Sequence, residues 1–113
     1  MIGINLDRVK MIVVKTAETG VVNKETMFSF TQKDNLIHAE YAGGQIAKGF
    51  LVGKLTDNTL KFSYCQLQVD GRLDNGSSKG ELSISKEGKI RLTEYFEWDS
   101  RPGHSGTNIF EQI

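Results

Sequence analysis

Turn-forming residues recur along this chain at a nearly constant interval, and that interval decides what it can fold into. Lys33-Asp34-Asn35, Gly43-Gly44, Asp57-Asn58, Asp70-Gly71, Asp74-Asn75-Gly76, Glu87-Gly88 and Pro102-Gly103 punctuate the sequence. The stretches between them run roughly 7 to 12 residues, the length of strands joined by tight turns. Within those stretches the apolar period is two rather than that of a helix. Ile90, Leu92, Glu94, Phe96 and Trp98 share one face, and Arg91, Thr93, Tyr95 and Glu97 the other. Leu60, Phe62, Tyr64 and Gln66 oppose Lys61, Ser63 and Cys65 in the same way, and Phe28 and Phe30 share a face. No window reads as a helix. The spacing predicts about eight antiparallel strands, near residues 8–15, 24–32, 35–42, 45–56, 59–69, 77–86, 89–99 and 106–113.

Consecutive antiparallel strands have two ready solutions, a sandwich or an up-and-down (meander) barrel. Closure removes the exposed edges. Gly43, Gly44, Gly49 and Gly53 allow the sharp coiling that a small barrel needs. The expectation is an all-β chain folded as one meander barrel domain over residues 1–113, a length sufficient for one core. Only the phase of Ala47 to Leu55 stays open, because both of its faces are apolar or small.

Composition narrows the function classes. Fourteen basic residues balance fourteen acidic ones, so no net charge draws the chain to nucleic acid or to an anionic membrane. Near-neutrality favours self-association, and a homodimer is compatible with it. The start, Met1 to Arg8, carries charges early and lacks the apolar run of a leader; nowhere is there one of transmembrane length. The one cysteine, Cys65, has no intrachain partner, and a reducing, cytoplasmic setting is the default. His38 and His104 are not in metal-ligand spacing, so neither a metal nor a cofactor is expected.

Glu94 is the most informative residue. It interrupts an apolar face that should point into the barrel, and a buried lone carboxylate needs a partner. It reads either as a ligand anchor or as half of an internal pair with Arg91, Lys48 or a tyrosine hydroxyl, unless a bulge turns it out to solvent. Tyr64 and Gln66 extend the Phe62 face with polar groups, so Tyr41, Phe62, Tyr64, Gln66, Glu94 and Trp98 form the candidate ligand-binding set. Volume argues the other way. With Phe28, Phe30 and Phe96 also pointing inward, aromatic rings could fill the lumen of a narrow barrel.

Other motifs reduce to structure. The glycines of 43–53 lack the lysine and helix of a phosphate loop. Gly103-His104-Ser105-Gly106 lies in a connecting loop, not at a nucleophile elbow. Cys65 should face the opposite side from Tyr64, and His38 should be exposed. Lys86, Lys89 and Arg91 are accompanied by Glu87, Glu94 and Glu97, a mixed solvated surface and no nucleic-acid site.

The run Gly43-Gly44-Gln45-Ile46-Ala47-Lys48-Gly49-Phe50-Leu51-Val52-Gly53 resembles the G-G-x-I-x-x-G-x-L-x-G centre of a family of small bacterial proteins. Phe62 to Gln66, Gly88 to Trp98 and Gly106 to Ile113 are similar to its later strands. Tyr95 and Phe96 stand where a Glu-Trp pair is more usual, and Gln112 where a second Glu is common. The resemblance runs from about Glu25 onward and implies a lipocalin-like or avidin-like barrel. Members often carry the label "N-acetylglutamate synthase". The acetyl-CoA motif R/Q-x-x-G-x-G/A at a helix start, which such chemistry ordinarily uses, is absent from this chain.

Three functions follow as expectations. The first is non-covalent binding of a small, partly apolar molecule in the lumen, with Phe62, Tyr64 and Trp98 as wall and Glu94 and Gln66 as polar anchors. The second is a packed barrel acting through its surface or as a homodimer. The third is catalysis with Glu94 as general base and Tyr64 as proton donor.

Overall fold

Each stretch of two-residue periodicity becomes a strand. In the computed structural model, which describes residues 4–18 and 20–113, these are β1 (Lys10–Lys15), β2 (Met27–Lys33), β3 (Leu36–Gly43), β4 (Ile46–Thr56), β5 (Thr59–Gln68), β6 (Leu73–Ile84), β7 (Ile90–Trp98) and β8 (Ser105–Gln112). Every strand pairs antiparallel with the next, and β8 returns to β1, so the meander closes as a barrel. Residues 1–3, part of the stretch read for a leader, lie outside the described residues.

Local chemistry sets the tight turns. Asp34 and Asp57 adopt left-handed φ values of 57° and 55°, and Gly43 and Gly44 have φ of 117° and 63°. Such turns match the twist of paired strands. The β4 phase, open in the sequence, is settled with Ile46, Leu51 and Leu55 buried and Phe50, Val52 and Lys54 outside. A register shift between Ile46 and Lys48 lets both Ile46 and Leu51 face inward.

One expected turn is absent. Asp74-Asn75-Gly76 lies inside β6, which begins at Leu73 rather than near residue 77. The reversal is made earlier, where Gly71 has φ of 91° and Asp70 Oδ1 accepts a hydrogen bond from Arg72 N at 3.0 Å. Gly76 has a different task. It pairs across the strands with Tyr64, as Gly49 pairs with Tyr41, and each ring lies over its glycine. A β-carbon at either position would overlap the tyrosine, so the absent side chain makes room for the ring.

The two ends differ. The connections at 33–36, 56–59 and 84–90 and residues 4–9 before β1 share one end. There Leu6, Met11, Leu60 and Leu92 are fully buried, and Ile37, Leu55 and Leu82 pack with them. Leu6 is held by its backbone N, which donates to Gln32 Oε1 at 2.8 Å. The other end carries the β1–β2 connection, described over residues 16–18 and 20–26, the turns at 43–46 and 68–73, and the loop 99–104. Its interior sets the buried polar side chains Gln66, Gln68, Asp74, Glu94 and Asn108 among aromatic rings, and it is the polar end of the barrel.

Candidate functional site

Glu94 occupies the middle of β7, opposite Gly80 on β6 and Asn108 on β8. It is 6% exposed and points inward, so the alternation holds and no bulge turns it out. Ser78 Oγ donates to its Oε2 at 2.6 Å and Asn108 Nδ2 to its Oε1 at 3.1 Å. The partners expected from the sequence are engaged elsewhere. Arg91 pairs with Glu111 at 2.6 Å and Lys48 with Glu40 at 3.1 Å, while Tyr64 hydroxyl donates to the Glu97 carbonyl at 3.2 Å. Neutral donors stabilise a buried carboxylate less than a cation would. Burial therefore dominates and raises the Glu94 pKa, with the Ser78 and Asn108 hydrogen bonds opposing it.

Asn108 links this carboxylate to the β1–β2 segment. Its Oδ1 accepts from Ala17 N at 3.1 Å and lies 3.1 Å from Thr16 Oγ1. The same segment delivers Val21 and Val22 into the barrel mouth, both 8% exposed. It is anchored at its far end by Thr26, whose hydroxyl donates to the Gly43 carbonyl at 3.1 Å.

Tyr41 hydroxyl donates to Gln66 Oε1 at 2.8 Å, with the Tyr41 ring stacked on Phe28 at 4.3 Å between centroids. The other amide atom, Gln66 Nε2, is buried without a hydrogen-bond partner among the described residues. Burial, followed by the nearby Glu94 charge, pushes both tyrosine phenols up, so neither gives its proton readily.

A second buried carboxylate, Asp74, went unread because its sequence neighbours look like a turn. Gln68 Nε2 donates to its Oδ2 at 2.7 Å, and Arg101 grips it with Nε on Oδ1 and Nη2 on Oδ2, each at 3.0 Å. Burial alone would raise the Asp74 carboxyl. The hydrogen bonds from Gln68 and Arg101, with the guanidinium charge, outweigh it and hold the pKa below its ordinary value. The Arg101 guanidinium also lies 4.8 Å from the centre of the Trp98 ring. The Pro102-Gly103 loop, a plain connection in the sequence, is therefore pinned over the lumen wall.

Tyr41, Phe62, Tyr64, Gln66, Glu94 and Trp98 all line one interior cavity, together with Val21, Val22, Phe28 and Asn108. Its volume is about 30 Å³, room for a water molecule or two. Sequence reasoning passed over Ser78 and Asn108, small polar residues at inward positions; inward phase at both was the available signal. Cys65 and His38 are exposed on the outer face. Among the described residues, no group of three or more His, Cys, Asp or Glu could hold a metal ion, and no helix is long and apolar enough to cross a membrane.

Comparison with known proteins agrees with the closed eight-strand meander. A family profile described as "Avidin-like protein" matches residues 4–113. No curated protein and no solved structure gives a match. The chain belongs to the avidin-like family.

Proposed function

We propose that this avidin-like barrel binds a small, partly apolar molecule non-covalently at its polar end. Tyr41, Phe62, Tyr64 and Trp98 form the wall, and Gln66 and Glu94 fix the polar part of the guest. The observation that carries the reading is Gln66 Nε2, a buried donor without a partner on the cavity wall. A donor left this way costs about 1–3 kcal/mol. A guest presenting a carbonyl or similar acceptor would recover that energy. The guest must also be accommodated in volume, and Val21 and Val22 occupy the space it would take. Binding therefore displaces the β1–β2 segment outward, breaking the contacts of Ala17 N and Thr16 Oγ1 with Asn108 and leaving the Asn108 carbonyl oxygen available to the guest.

A second reading rests on the cavity as it stands. At about 30 Å³ it holds only water, which favours a packed barrel acting through its surface or as a homodimer. Phe50 and Val52 on β4 and the cross-strand pair Leu67 and Leu73 on β5 and β6 are exposed and would supply apolar contacts. Catalysis by Glu94 and Tyr64 has less support, since the Tyr64 hydroxyl is engaged with the Glu97 carbonyl.

Native mass spectrometry before and after exposure to a metabolite extract tests these readings together. Lumen binding predicts a retained small-molecule mass that is diminished in Glu94→Gln. Bare monomer or dimer masses throughout, with Glu94→Gln changing stability alone, would replace the binding reading with the packed one.

A further inference from the structure

The zero net charge of the chain conceals a local array on the outer face. Lys54 on β4 pairs with Lys61 on β5, Lys61 pairs with Lys79 on β6, and Lys79 pairs with Tyr95 on β7. All four side chains are exposed. Adjacent strands lie ~4.8 Å apart, so three ammonium-bearing residues follow one another over ~10 Å of sheet. Like charges directly opposed across strands are destabilising. None of the three lysines forms an ion pair among the described residues, whose ion pairs involve Lys48, Arg91 and Arg101.

The row lies in an open groove of about 940 Å³. Ser63 and Ser77 sit beside the lysines on its floor, and Thr107 stands opposite Tyr95. Ammonium groups, hydroxyl donors and one exposed aromatic ring together match a phosphate chain joined to a flat heterocycle. The neighbours of the array shape what it can hold. Glu81 follows Lys79 on β6 and pairs with Thr93, while Glu97 follows Tyr95 on β7 and pairs with Ser77. These carboxylates border the row beside Lys79 and Tyr95, and Glu97 itself lines the groove, so an anion is confined there to the line of the row; past Lys54 the sheet presents Leu36 and then Lys33. A single aromatic ring likewise provides for one base, not a succession of them.

We propose that the row Lys54, Lys61, Lys79 and Tyr95 binds a nucleotide, its phosphate chain over the lysines and its base against the Tyr95 ring. The site is separate from the lumen and stands or falls independently of it.

Calorimetric titration of the full chain at low ionic strength tests the assignment, with ATP, inorganic tripolyphosphate and adenosine as probes. ATP should saturate one site per chain, tripolyphosphate should bind about tenfold more weakly, and adenosine alone should give no saturable heat. Tyr95→Ala should lose about tenfold in ATP affinity and keep its affinity for tripolyphosphate. Combined Lys54→Gln, Lys61→Gln and Lys79→Gln should abolish both while the thermal transition persists, as expected for changes on an exposed face. No saturable binding of either anion, or binding that survives the triple substitution, overturns the proposal. A single-stranded oligonucleotide that binds the row more tightly than ATP would also overturn it, in favour of a polymer.

Discussion

The two ends of this barrel are built from the same strands and stabilised by different physics. At one end Leu6, Met11, Leu60 and Leu92 exclude water completely, and loss of volume is the main hazard. At the other, two buried carboxylates face opposite environments. Asp74 is held by the Arg101 fork, whereas Glu94 has only the neutral donors of Ser78 and Asn108. A carboxylate held by a cation is fixed in its charged form. One held by neutral donors keeps an electrostatic penalty that a ligand or a proton can relieve. The apolar end thus suits permanence and the polar end exchange.

The sharpest way to break this contrast is at the apolar end. Leu92→Ala should cost about 3–5 kcal/mol in urea denaturation, since its neighbours come from several strands and cannot all collapse into the void. A loss below about 1 kcal/mol would mean that this end is loosely packed. Asp74→Asn should rank next, with a loss of about 2–4 kcal/mol, moderated because Arg101 can reach water. Amide exchange at Trp98, whose N donates to the His104 carbonyl at 3.1 Å, should then accelerate as the 99–104 loop is released.

Glu94→Gln should run the other way and stabilise by about 1 kcal/mol at neutral pH. A glutamine can still accept from Asn108 while donating to Ser78, without a charge to bury. The pH dependence sharpens the point. Glu94 has its pKa raised above 4.5, so its contribution is fully present below that value and is lost as pH rises through the folded pKa. Asp74 has its pKa lowered from 3.8, so its contribution is present above 3.8 and is lost as pH falls through the folded pKa. The two carboxylates therefore act on opposite limbs of the pH profile, Asp74 on the acid side and Glu94 on the alkaline side. In denaturation midpoints followed across pH, Glu94→Gln should flatten the alkaline limb and Asp74→Asn the acid limb. The smallest effect belongs to the outer face, where Lys61→Gln should raise stability by at most about 1 kcal/mol by relieving repulsion on both sides. An unchanged or lowered melting temperature would show that Glu81 and Glu97 already balance the row.

Sequence patterning was informative where alternation was clean. Ile90 to Trp98 and Leu60 to Gln66 assign their own faces, and the anomaly of Glu94 stands out against them. It was silent where one residue type serves two purposes. Asp74-Asn75-Gly76 has turn chemistry, yet Gly71 takes the turn and leaves Asp74 to be buried. The partners of Glu94 were hidden because Ser78 and Asn108 are small polar residues set among other small or polar ones. The lysine row was hidden for another reason: its members lie far apart in sequence, and only hairpin register aligns them.

Trp98 is the chain's only tryptophan, and it sits in the polar end with Tyr64 and Phe96 edge-on at 5.5 and 5.7 Å and Arg101 over its ring. The molecule therefore carries an intrinsic fluorophore beside the Arg101 contact and on the cavity wall, with no counterpart at the leucine-rich end. Tryptophan emission from native protein reports on one pole alone, so a change in it without unfolding localises the event to that mouth.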